Sequence, residues 1–244
     1  MSNYVRLRIV FQGSVPKEDA PDAPNEDQIA ADEARQRFAV CDGASESYDS
    51  ARWSRVLADA WVAGGSVVSR KGFRAIVRQY EAECDPDALS WSKRAAFDRG
   101  SFATVLGVSL HRNRVRVFAV GDSIAVLISN SGGVATFPYT RGEEFDQRPL
   151  LFSTNASANE GLLRGAALKR WLATWPLQPG GALLLMTDAL GQWLLRRDAD
   201  VASYTALLAI HTVEQLNSFV RAERLNGAMR RDDTTLVHLR AEVP

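Results

Sequence analysis

Residues 38–47 read FAVCDGASES. Four residues suited to a buried strand, Phe38 to Cys41, run straight into Asp42 and Gly43. A carboxylate at the mouth of an apolar strand is costly unless something there requires its charge. The same design recurs along the chain. LLLMTDAL (183–190) places Asp188 just after an apolar run, and RRDDTTLV (230–237) places Asp232 and Asp233 just before one. FAVGDSIAVL (118–127) sets Asp122 in a Gly-Asp turn between two strands, and PNEDQIA (24–30) carries Glu26 and Asp27.

Taken singly these are ordinary turns and strand ends. Taken together they predict several carboxylates at one end of a sheet structure. Like charges that close require raised pKa values or bound cations. All-oxygen ligands suit Mg²⁺ or Mn²⁺ better than Zn²⁺, which prefers nitrogen and sulfur. His111, His211 and His238 show no ligand spacing near these motifs, and His238, inside a strand pattern, reads as structural.

The bulk numbers exclude several classes. The 244 residues carry 29 Lys plus Arg and 29 Asp plus Glu, a net charge of zero, unlike the basic excess of a nucleic-acid binder. The two cysteines, Cys41 and Cys84, form no CxxC pair and no disulfide framework, so a reduced, cytoplasmic setting is expected. No stretch approaches the roughly 18 apolar residues of a membrane span, so no membrane association is expected. Nothing resembling a linker divides 1–244, which predicts a single domain.

Periodicity predicts strands at 4–12, 28–31 and 37–41, after which 101–110, 114–120, 123–129 and 133–139 read as an antiparallel meander. Strands at 182–187 and 234–240 follow. Helices are expected at 50–62, with Ser50 as N-cap, at 70–84, 87–98, 169–175, 202–209 and 212–226. Residues 14–27 and 140–160 read as polar loops, the latter as a flap. Trp53, Trp61, Trp171, Trp175 and Trp193 read as core; Trp91 does not fit that pattern as well. Mixed strands with inserted helices point to an α+β protein with two stacked antiparallel sheets.

With these motifs in view, the chain resembles the metal-dependent serine/threonine protein phosphatases of the 2C type, in a divergent bacterial branch. PNED resembles the family's first acidic motif, FAVCDG its Asp-Gly strand end and GSFAT (100–104) its Gly-Ser strand start. FAVGDS resembles its Gly-Asp-Ser turn, LLLMTDAL its apolar strand ending in Asp-Gly, and DDTT its closing Asp-Asn-x-Thr. The resemblance implies a four-layer α-β-β-α sandwich with two Mg²⁺ or Mn²⁺ ions at one end and room for a weaker third. By residue match Asp42 would bridge both ions, with Glu26 and the Gly43 carbonyl completing one site and Asp188 and Asp232 the other. Asp27 would orient bound waters and Asp122 would serve the third ion. The implied activity is hydrolysis of phosphoserine and phosphothreonine in proteins by a water activated between two metals, with a cognate Ser/Thr kinase supplying the substrate. Alternatives are a catalytically weak pseudophosphatase acting as a regulatory module, and a hydrolase of small phosphate esters.

Departures from the family pattern are specific. Asp22 stands where the family carries a phosphate-gripping arginine; Lys17, Arg52 and Arg141 are the replacement candidates. Ala44-Ser45-Glu46-Ser47 stands where relatives often place a histidine or paired glycines. Ala189 follows Asp188 in place of glycine, Gln192 stands where some members place an acid, and Asp233 replaces the usual asparagine.

Overall fold

The computed structural model describes residues 4–20, 23–65, 67–163 and 165–243. Its strands and helices open with β1 (Arg6–Val15), β2 (Asp27–Asp32), β3 (Arg37–Asp42), α1 (Ser50–Val62), α2 (Arg70–Ala82) and α3 (Trp91–Arg99). There follow β4 (Phe102–Ala103), β5 (Val105–His111), β6 (Arg114–Val120), β7 (Ile124–Ile128), β8 (Val134–Phe137), β9 (Phe152–Ser153) and α4 (Gly165–Leu168). The chain ends with β10 (Leu172–Pro176), β11 (Ala182–Met186), α5 (Asp188–Leu195), α6 (Val201–Leu208), α7 (Val213–Leu225) and β12 (Thr234–Glu242). One sheet runs β1-β12-β11-β7-β8 and the other β10-β6-β5-β3-β2; β4 and β9 form a small third.

Strand alternation decides the layering, because successive side chains leave a strand on opposite faces. In β3, Phe38 and Val40 face the space between the sheets, where they meet Leu106, Val117, Leu183, Leu185 and Val237. Ala39 and Cys41 face the other way, into a core with Trp53 and Leu57 of α1 and Phe73 and Tyr80 of α2. On the opposite sheet Leu184 and Met186 pack against Trp193, Leu207 and Leu216 of α5, α6 and α7. Helices therefore cover both outer faces, and the central strands are buried on both sides. That is why they read as unbroken apolar runs. The result is the four-layer sandwich expected.

The structure corrects several element expectations. β6 and β7 are consecutive but lie in different sheets, so Gly121–Asp122 is a crossing between layers and the meander breaks there. β1 runs on to Val15 because Ser14 and Val15 pair with Thr235 and Thr234 of β12, a partner that no local pattern reveals. The 101–110 run splits at Thr104 into β4 and β5. Residues 169–175 are helical only in the short 3₁₀ turn Lys169–Trp171; β10 then pairs with β6 at the sheet edge. The periodicity gives no sign of helix α5, and the expected flap is partly built, with 3₁₀ turns at Gly142–Asp146 and Ala156–Asn159 around β9. Asp49, not Ser50, is the N-cap of α1. Trp53, Trp61 and Trp193 are buried, Trp171 and Trp175 are half-buried, and Trp91 is 87% exposed.

Candidate metal centre

Four chain segments bring acids to one end of the sandwich. β3 delivers Asp42, whose backbone N–H donates to the Thr104 hydroxyl (2.9 Å) and whose carbonyl accepts from the Thr104 N–H (2.8 Å). Gly43 follows because α1 begins directly against it; an added Cβ would stand 2.7 Å from the Ser50 carbonyl oxygen. The crossing from β6 to β7 delivers Asp122. Gly121 before it has φ +107°, and a Cβ there would lie 2.6 Å from the Thr104 methyl, so only glycine serves the turn. β11 delivers Asp188 as the first residue of α5, and Asp232 precedes β12.

Carboxylate oxygens of Asp42, Asp122 and Asp188 lie within 4.8 Å of one another. Asp232 stands outside that triad but lines the same cleft, about 150 Å³, with Gly43, Thr104, Pro149 and Leu151. Burial, then the charges of Asp27, Asp122 and Asp232, push the Asp42 carboxyl well above the usual range. Burial raises Asp122 as well, and the Arg230 guanidinium opposes both shifts. Arg230 forms an ion pair with Asp188 Oδ2. Asp188 Oδ1 is buried with no hydrogen-bond partner among the described residues.

Asp27 sits beneath the cluster, paired in register with Asp42 across β2 and β3. Its Oδ2 accepts hydrogen bonds from the Thr187 hydroxyl (3.0 Å) and the Thr235 hydroxyl (2.6 Å), so one carboxylate ties the two sheets together. Burial raises its pKa to about 7. Glu26 stands one residue behind the cleft: its carboxylate accepts from Ser50 Oγ (2.7 Å) and Lys17 Nζ (3.1 Å), and also from Ser45 Oγ, and Ser45 lines the cleft. It lines no part of the cleft.

None of the three phosphate-gripping candidates lines the cleft, although Lys17 reaches its edge through Ser45, which does. Lys17 Nζ is held by Glu26 and by Ser45 Oγ (2.8 Å). Arg52 stacks on Tyr80 at 4.1 Å and donates to the Tyr80 carbonyl. Arg141 stands at the start of a 3₁₀ turn, its N–H donating to Glu144 (2.8 Å). Asp22 lies outside the described residues. Arg230, which beside Asp232 reads as a surface pair or a brace for that acid, faces Asp188 instead; the groups that the motifs do not single out are the threonines Thr104, Thr187 and Thr235. Their signal was present: each threonine lies within four residues of an acid or a glycine in GSFAT, LLLMTDAL and DDTT.

The sequence model of the protein phosphatase 2C family matches residues 18–230, ending just before Asp232. No curated protein sequence matches the chain. Among solved structures, the chain is similar to the catalytic domain of the serine/threonine phosphatase PstP in complex with two manganese ions, PstP being a Mycobacterium tuberculosis protein. Identity there is 18% and the TM-score 0.60, over 98% of this chain and 99% of that one. PppA, a regulatory component of the type VI secretion system of Pseudomonas aeruginosa, gives 18% and 0.60, covering 98% of each chain. Stp1, a serine/threonine phosphatase of Staphylococcus aureus, gives 16% and 0.59, over 97% of this chain and 94% of that one.

Proposed function

The chain belongs to the protein phosphatase 2C family, and from that premise we propose that it hydrolyses phosphoserine and phosphothreonine in proteins with Mg²⁺ or Mn²⁺ held at the Asp42–Asp122–Asp188 cleft. The observation that carries this reading is the convergence of those three carboxylates within 4.8 Å, with a buried Asp188 oxygen left without a partner. Hard oxygen donors in a buried cluster, where burial and then neighbouring negative charge push the Asp42 and Asp122 carboxyls upward, fit a divalent cation. Asp42, Asp122, Asp188 and Asp232 would hold the ions, with the Gly43 carbonyl beside them and Glu26 behind Ser45 at the cleft's edge. Bound there, such ions supply a water of lowered pKa and neutralise phosphoryl charge. Asp27 keeps the two sheets in register under the cluster through Thr187 and Thr235. Lys17 and Arg52 are held by Glu26 and Tyr80; Arg230, paired with Asp188, is in this reading a further candidate to meet a phosphate. In this reading the partners are phosphorylated proteins and the Ser/Thr kinase that modifies them, in the cytoplasm, and residues 1–244 act as one domain. No helix among the described residues is long and apolar enough to cross a membrane.

A second reading, a pseudophosphatase that binds without turning over, is favoured by one feature. Arg230 already supplies the acidic cluster with a positive charge. One assay separates the two. Purified protein with Mn²⁺ is expected to release phosphate from a phosphoserine peptide, to stop with EDTA, and to lose at least about a hundredfold of that rate in Asp42→Ala, the scale on which electrostatic catalysis by one group is felt. Turnover no higher than that of the variant would leave the binding reading. A higher kcat/KM on small esters than on phosphoproteins would move the substrate class.

A further inference from the structure

Away from the acidic cleft, α2 builds a second concavity. Arg70, Arg74 and Arg78 recur at every fourth residue, so they share one helix face. Phe73, Val77 and Leu163 give the groove apolar lining, Ala156, Ser157, Asn159 and Glu160 line it from another segment, and the cavity is about 460 Å³. All three arginines are exposed, and among the described residues none of the three has an ion-pair partner. In a chain with 29 basic and 29 acidic residues, three unmatched guanidiniums on one wall are a local surplus. Glu81 and Glu160 also line the groove, but Glu160 already has a partner of its own. A solvated charged helix face needs no groove. Here the arginines stand over apolar side chains, where a bound chain is shielded from water and charge-assisted hydrogen bonds strengthen.

We propose that this groove binds an extended acidic segment of a protein, with carboxylates at alternate positions. The spacing supports that choice. Eight helical residues, Arg70 to Arg78, span about 12 Å. Four steps of an extended chain span about 13 Å and return the side chain to the same face. The groove also lies within reach of the cleft. Pro149 and Leu151 line the cleft, Ala156 lines the groove, and the five residues from Leu151 to Ala156 reach at most about 17 Å. One extended substrate can therefore present a phosphoserine to the cleft and an acidic run to the arginines. That link rests on the phosphatase reading; the binding of the acidic segment does not.

The test uses the full chain and fluorescence anisotropy. The probe is a labelled, unphosphorylated decapeptide with glutamate at alternate positions, against the same peptide with glutamine. The glutamate peptide is expected to bind wild type, to weaken at least tenfold in R70Q/R74Q/R78Q, and to bind Asp42→Ala unchanged. A lysine-substituted peptide is expected to bind R70E/R74E/R78E, which rules out misfolding as the cause of lost affinity. On a phosphopeptide carrying the acidic run, the glutamine variant is expected to raise KM while kcat and aryl phosphate turnover hold. Equal binding of the glutamine peptide, or undiminished binding by R70Q/R74Q/R78Q, overturns the groove. Peptide binding without any phosphate release supports the groove and removes only the phosphatase reading.

Discussion

Arg230 is the residue that most changes the picture of the cleft. Beside Asp232 and Arg231 it reads as a surface pair or a brace for Asp232, because a sequence places it next to its chain neighbours. The fold sends its guanidinium to Asp188 instead, at the start of a different helix, and its charge also favours ionised Asp42 and Asp122. The three triad acids were legible, each as a charge at the end of a greasy strand. Their counter-charge was not, since its partner is fixed by tertiary packing alone. An arginine that neutralises a carboxylate cluster competes with cations for the same oxygens. Arg230→Ala is therefore expected to tighten Mn²⁺ binding roughly fivefold, the worth of a partly exposed ion pair. It is also expected to lower the melting temperature of the metal-free protein, where repulsion is then unopposed, and so to enlarge the Mn²⁺-induced shift. Titration calorimetry and thermal melts with and without Mn²⁺ read both effects. Unchanged or weaker Mn²⁺ affinity in the variant would show that Arg230 does not compete.

At the scale of elements, locally periodic segments were readable and partner-dependent ones were not. α1, α2, β3 and β6 carry their own signal in the spacing of apolar residues. β10 reads as a helix because Trp171 and Trp175 recur at helical spacing, yet β6 offers an open edge that takes those residues as a strand. α5 hides because its residues are buried all round, so no polar face marks its period. The connection from β1 to β2 shows a third case, a loop fixed by one side chain. Asp233, where the resemblance leads one to expect asparagine, accepts from the Lys17 N–H (2.7 Å) and the Glu26 N–H (2.8 Å). A carboxylate can accept both bonds with equal oxygens, whereas an amide has one acceptor. Asp233 is 4% exposed, and its loss leaves two half-buried donors without their acceptor. Asp233→Ala is expected to cost about 2–4 kcal/mol in urea unfolding, and Asp233→Asn about half as much. Equal costs for the two variants would mean that the second oxygen contributes nothing.

For the molecule as a whole, the sandwich was legible because six motifs place acids or turns at strand ends in a fixed order, and because buried strands leave unbroken apolar runs. What the sequence concealed was the passage from β6 to β7 between sheets, since a Gly-Asp turn is written the same way whether the next strand pairs or departs. The same burial that makes the strands apolar governs how the folded state responds to acid. His238 lies within β12, 3% exposed, and neither ring nitrogen has a hydrogen-bond partner among the described residues. Burial, with the nearby positive charges of His211 and Arg240 adding to it, pushes the imidazole pKa from 6.5 down to about 4. The folded protein thus holds His238 neutral where the unfolded chain would protonate it. Between pH 6.5 and 4 the unfolded state binds the extra proton, so stability is present in full above pH 6.5 and falls as the pH drops toward 4. The gap corresponds to at most about 3 kcal/mol. His238→Leu fills a similar volume with nothing to protonate. Its unfolding free energy relative to wild type, measured in urea from pH 7.5 to 4, is expected to rise by about 3 kcal/mol across that window. Taking the difference between the two proteins removes the contribution of the acidic cleft, which is common to both. A difference that stays flat with pH would place the acid sensitivity in the carboxylates and take His238 out of the account.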